Sequence, residues 1–139
     1  MALKFSTRVR NARGNAIEST VGNAPTLFIR SGAAPANITD ADSGTLLCTM
    51  ALPSDWLEAA AAGVTAKKGT WTGTGSVAAG AGTPAGHFRI KDAGSPTSTD
   101  LQGTCTAGGG GGDMTLDNNS IANGQTVNVA TFAVTEGNA

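Results

Sequence analysis

The sequence predicts a mainly-β protein, a jelly roll or β-sandwich of about seven strands with an N-terminal helical arm and one short internal helix. Two observations carry this. Short apolar or alternating runs of strand length recur between stretches rich in Gly, Pro, Asn and Asp, the spacing of sandwich and jelly-roll strands. Helical periodicity of any length occurs only near the start. Composition agrees. Gly, Ala, Ser and Thr make up over half of the 139 residues, and aromatics only 4%. A core built from so few large side chains is thin, and partner surfaces are expected to supply part of the stability.

The elements follow in order. Over 3–21, Phe5, Val9, Ala12, Ala16 and Ile17 recur every three or four residues, the mark of an amphipathic helix. Ser6 or Thr7 suits its N-cap and Gly22 its stop. Gly14 in its middle weakens it by about 1 kcal/mol, so the helix needs a surface to dock on. Residues 1–22 are read as a basic arm and 23–139 as a single β-domain. Thr26–Arg30 and Thr45–Ala51 read as strands, separated by a Gly/Pro/Asn/Asp loop. Pro53 to Gly63 reads as the short helix, with Asp55 and Glu58 at capping-box spacing ahead of the Ala59–Ala62 run.

Gly69–Thr72 and the alternating His87–Lys91 are two further strands, the latter half-buried. A turn spans 92–99, with Gly94 and Pro96. Leu101–Thr106 is a strand ended by the glycine run 108–112, and Met114–Leu116 is a short one. Asn123-Gly124 is a hairpin signal. Thr126–Thr135, the longest strand, is apolar on both faces, with Val127 and Val129 on one and Phe132 and Val134 on the other. It therefore belongs in the middle of the fold.

Charge is balanced overall at -1 but unevenly placed. Lys4, Arg8, Arg10 and Arg13 all precede the first acid, Glu18. This basic segment is either a solvated helix face or a contact for an acidic partner. Four bases without a recognised module make a poor nucleic-acid footprint, so no direct nucleic-acid contact is expected. No apolar run approaches the length of a membrane span, and no signal-peptide pattern opens the chain. Cys48 and Cys105 read as reduced, buried core residues.

Chemistry-bearing patterns are sparse. A single histidine, His87, with no closely spaced ligand pair does not build a zinc site; it reads as the polar face of a strand. There is no nucleophile elbow, and Gly108–Gly112 lacks the Lys-Ser/Thr end of a phosphate loop. Its glycines fit a free turn or a close backbone approach. No catalytic, metal-binding or cofactor residues are assigned, and the chain is not expected to be an enzyme. Trp56 and Trp71 read as anchors of the core or of an interface. With Lys4, Arg8, Arg10 and Arg13 they form the candidate interaction set.

The order of segments resembles small structural proteins of tailed bacteriophages. The resemblance is carried by Asn15-Ala16-Ile17-Glu18-Ser19-Thr20-Val21-Gly22, Leu27-Phe28-Ile29-Arg30-Ser31-Gly32-Ala33-Ala34-Pro35, Leu52-Pro53-Ser54-Asp55-Trp56-Leu57 and Gly112-Asp113-Met114-Thr115-Leu116-Asp117-Asn118. The pattern is similar to the capsid cement, or decoration, proteins, most of all those of Bordetella-type short-tailed phages. The resemblance implies a jelly-roll subunit on the outer surface of an HK97-like shell, often a homodimer, made in the host bacterial cytoplasm and bridging major capsid subunits. A head or tail fibre and a host-glycan-binding β-module are the alternatives.

Overall fold

The computed structural model describes residues 2–95 and 97–139; Pro96, in the expected turn, and Met1 lie outside them. The described residues are mainly β with one α-helix. Helix α1 runs Thr7–Val21. Ser6 caps it by accepting the Val9 amide at 3.3 Å, and Gly22 ends it at φ 96°. The expected signals at both ends are thus used, but residues 3–6 stay outside the helix.

Among the described residues ten strands follow: β1 Thr26–Arg30, β2 Leu46–Ala51, β3 Val64–Ala66, β4 Thr72–Gly75, β5 Thr83–Pro84, β6 His87–Lys91, β7 Leu101–Ala107, β8 Met114–Leu116, β9 Ser120–Ile121 and β10 Thr126–Thr135. Seven form a closed ring in the order β10-β4-β2-β1-β6-β7-β8, with β8 pairing back onto β10. The strand-like runs of the sequence fall on these seven, the Gly69–Thr72 run being displaced by three residues onto β4. The short β3, β5 and β9 carry no such signal. Strand β3 extends the edge of β10 beyond β4, and β5 with β9 forms a separate ribbon.

A ring of seven cannot alternate direction throughout, so at least one neighbouring pair must run parallel. That pair is β7 and β8, with Cys105 opposite Met114. Parallel neighbours usually need a crossover of a dozen or more residues, but here only 108–113 connect them. The glycine run makes this possible. Gly109 and Gly111 take φ of 84° and 74°, open to glycine at no steric cost. The Gly112 amide folds back onto Thr106 Oγ1 at 3.0 Å, and Asp113 Oδ2 accepts from the amide and hydroxyl of Thr104, both at 2.9 Å.

Strand β10 explains its own two-faced pattern. Its pairing with β8 shifts register between Val129 and Thr131. Val127 and Val129 are buried before the shift and Phe132 after it, while Ala130 and Thr131 are exposed. A bulge of this kind moves the inward face from odd to even positions. The Asn123-Gly124 turn leads into β10, but the strand before it, β9, pairs with β5 and not with β10.

The core holds Leu27, Ile29, Leu47, Met50, Ile90 and Leu116 around an aromatic chain. Trp56 and Trp71 rings lie 5.9 Å apart, Trp71 and Phe132 5.3 Å, and Phe132 meets Phe88 edge-on at 5.7 Å. These tilted and T-shaped pairs suit aromatic quadrupoles.

The expected internal helix over 53–63 is absent. The segment is irregular and closes with a tight turn, Ala62 and Gly63 both having positive φ, between the mutually bonded Ala61 and Val64. Its alanines favour a helix, but tertiary contacts outweigh that propensity. The backbone donors a helix would use internally are taken by α1.

Candidate interaction surface

Helix α1 docks by a polar stripe. Asn11, Asn15 and Glu18 follow i, i+4, i+7 spacing and so share one face. Asn11 Oδ1 accepts the Gly63 amide at 2.8 Å and Asn15 Oδ1 the Ala60 amide at 2.7 Å. Glu18 Oε1 accepts the amides of Trp56 at 2.7 Å and Leu57 at 3.3 Å. Gly14, on the same face, lets the helix backbone lie against Thr65 and Ala60, where a Cβ would collide. The expected apolar docking face differs: Ala12 and Ala16 are exposed, Phe5 is partly buried but precedes the helix, and Val9 and Ile17 within it are only partly buried. The helix presented by the sequence as an arm is thus hydrogen-bonded to the body along its length.

The four N-terminal bases divide into two pairs. Arg13 bridges to Glu136 at 3.0 Å and lies over the Phe5 ring at 5.1 Å. Arg10 donates to the carbonyls of Ala62 and Glu136. Lys4 and Arg8 are exposed and form no ion pair among the described residues, and neighbouring Leu3 is 71% exposed. Trp56 and Trp71 are 0% and 1% exposed. Their indole N–H groups donate to the carbonyls of Gly22 at 3.1 Å and Lys68 at 3.0 Å. Both are core anchors, out of reach of a partner docking on this surface.

A second cluster carried no sequence signal beyond the charges themselves. Strand β6 is buried at all five positions, not half-buried. Its inward side chains are Phe88 and Ile90. Its other face, His87, Arg89 and Lys91, lies under the 31–45 loop. Arg89 donates to Asp42 Oδ1 at 2.9 Å, to the Asp40 carbonyl at 2.8 Å and to Gln102 Oε1 at 2.9 Å. Lys91 donates to Asp42 Oδ2 at 2.9 Å, and Arg30 donates to the same oxygen at 3.1 Å. One carboxylate therefore serves three cations. Burial pushes the Asp42 pKa up, but hydrogen bonds from Lys91 and Arg89 and the charge of Arg30 outweigh it, and the net shift is downward.

His87 is fully buried, with Nδ1 2.9 Å from the Gly32 carbonyl. Among the described residues, no three His, Cys, Asp or Glu side chains are placed to hold a metal ion. Cys48 and Cys105 are free and buried. Burial raises their thiols to about 11 and about 12, Asp113 adding to the second, so neither is a ready nucleophile. No helix among the described residues is long and apolar enough to cross a membrane.

Comparison with protein-family models, with curated proteins and with solved structures returns no match.

Proposed function

We propose that this protein is a capsid cement protein, a structural virion component that binds the outer surface of an HK97-like shell and stabilises it by bridging major capsid subunits. The jelly-roll kinship of its sheet and its action as a homodimer belong to the same proposal. The observation that carries it is the contrast between the body and the first residues. The body is a closed ring whose helix and longest loop are tied down by polar contacts. At its edge, Leu3 and Lys4 ahead of α1 and Arg8 in its first turn are exposed, and the two bases form no ion pair among the described residues. A rigid body with a short apolar and basic projection is a form suited to bridging, because many weak contacts add through effective concentration. The sequence blocks quoted above supply the direction of the reading.

The test is stoichiometry. Virions containing the chain, purified by density gradient, are expected to hold it in numbers comparable to the major capsid protein. A few copies per particle would favour the fibre reading. Binding to a glycan array in the absence of capsids would favour the glycan-binding module. Attachment through Lys4 and Arg8 is expected to weaken with ionic strength. Particles stripped of the protein are expected to lose heat resistance while keeping their shape.

A further inference from the structure

We propose that an acidic cleft beside the C-terminal half of α1 receives the basic N-terminal segment, Lys4 and Arg8, of a second copy of this chain. The cleft has a volume of about 310 Å3 and lies between α1, the 55–59 segment and Lys68. It continues into a neighbouring hollow of about 280 Å3 that shares Asn15, Glu18 and Asp55. Three carboxylates, Glu18, Asp55 and Glu58, face one ammonium, Lys68.

The carboxylates are not used up locally. Asp55 bonds Lys68 at 2.6 Å. Glu18 engages the two amides through Oε1 alone, and Glu58 is exposed with no ion pair among the described residues. Lys68 reports the combined field. Its pKa is raised, first by the hydrogen bond and charge of Asp55, with Glu58 and Glu18 adding to them. A second, independent feature lies at the cleft wall. Thr65 is 1% exposed and its Oγ1, facing Gly14, has no hydrogen-bond partner. A buried hydroxyl left without a partner is costly and is explained by a donor or water held there when the cleft is filled.

The occupant follows from charge and reach. Lys4, just ahead of α1, and Arg8, in its first turn, are exposed cations at the opposite end of that helix and have no ion pair among the described residues. Ten residues of helix separate Arg8 from Glu18, about 15 Å at 1.5 Å per residue. The Phe5 amide is tied to the Asn138 carbonyl at 2.7 Å, so the segment does not fold back into its own cleft. A second copy presents the same cations to this cleft with its own Phe5–Asn138 bond intact. Reciprocal exchange satisfies both poles of both copies and closes at a dimer. Leu3, exposed beside Lys4, adds apolar area to the contact.

The experiment is sedimentation velocity on the full chain over a range of concentrations, at low and high ionic strength. The proposal rests on the homodimer of the cement reading; with no capsid present, the outcome bears on that dimer alone, and capsid binding is read separately from virion stoichiometry. The native chain is expected to self-associate at low salt and to weaken as salt rises. K4E/R8E and, separately, E58K are expected each to associate about tenfold more weakly, with unchanged melting temperatures. An equimolar mixture of the two is expected to recover association, since an acidic segment then meets a more basic cleft. The proposal is overturned if the native chain stays monomeric to its solubility limit or if either variant associates like the native chain. It is equally overturned if the mixture stays as weak as its components.

Discussion

Two segments cover the ring, and different chemistry holds each. Helix α1 covers the irregular 55–63 segment by giving side-chain oxygens to backbone amides: two asparagines and one carboxylate serve four N–H groups. The 31–45 loop covers the outer face of β6 through charge, with Asp42 at the centre of Arg30, Arg89 and Lys91. Both replace the apolar burial that this composition cannot supply. The helix contact is local and divisible, each bond standing by itself. The loop contact is concentrated, because removing one carboxylate leaves two buried cations unpaired. Polar docking is therefore robust to single losses on one side of the molecule and fragile on the other.

The sharpest break is Asp42→Ala. It strands Arg89 and Lys91 beneath the loop, and a loss of about 3–5 kcal/mol is expected, read as a drop in urea midpoint. Adding Lys91→Met to that variant should recover part of the loss. If Asp42→Ala unfolds like the native chain, the charge cluster does not hold the loop. Next comes Glu18→Ala, which frees the amides of Trp56 and Leu57 for about 2 kcal/mol. Hydrogen exchange at those two amides should accelerate with it.

Asn11→Ala and Asn15→Ala should cost about 1 kcal/mol each, with faster exchange confined to Gly63 and Ala60 respectively. A loss spread over the whole 55–63 segment from either substitution would contradict the divisible picture.

Acid gives the smallest and most selective separation. The folded pKa of Asp42 is depressed, so its contribution is fully present above the ordinary carboxylate value of 3.8 and is lost as pH falls through the lower folded value. Asp117 behaves likewise: burial opposes the shift, but bonds from the Asn128 amide and side chain prevail. Chemical denaturation from pH 5 downward should show a steeper loss in the native chain than in Asp42→Ala. Parallel slopes would remove Asp42 from the acid response.

Much of the ring was legible in the sequence, and the reasons for the gaps are physical. Ser6 and Gly22 marked the helix ends because capping chemistry is local. The short apolar run at Thr26–Arg30 and the alternating His87–Lys91 coincide with β1 and β6 because strand-length apolar runs and alternation report a strand whatever covers it. Alternation did not report that Arg89 and Lys91 are buried, since the cover comes from a distant loop that reaches them through Asn37, Asp40 and Asp42. The Ala59–Ala62 run pointed to a helix because nothing local shows that Asn11, Asn15 and Glu18 compete for its amides. Strands β3, β5 and β9, of two or three residues each, are too short for any periodicity. Val127, Val129 and Phe132 made β10 look two-faced, and only its register with β8 discloses a bulge. At the candidate surface, the basic cluster was visible, but its division into anchored Arg10 and Arg13 and free Lys4 and Arg8 depends on where Glu136 and Ala62 come to lie. The acidic cleft was hidden in the same way: Asp55 and Glu58 were read as a cap, and their convergence with Glu18 is a product of the fold.

The place of β10 in the ring bears on how the chain reaches its folded state. Strand β10 pairs with β3, β4 and β8, and each of those partners is made earlier in synthesis. Until residue 135 has left the ribosome, β4 and β8 present open edges with unpaired N–H and C=O groups. Closure then requires contacts between distant parts of the chain, the slow class of folding step. A nascent chain stalled before Thr126 is consequently expected to be a better chaperone substrate and a stickier species than the finished protein. The glycine run that allows the ring its parallel pair leaves that exposure to the last strand to end.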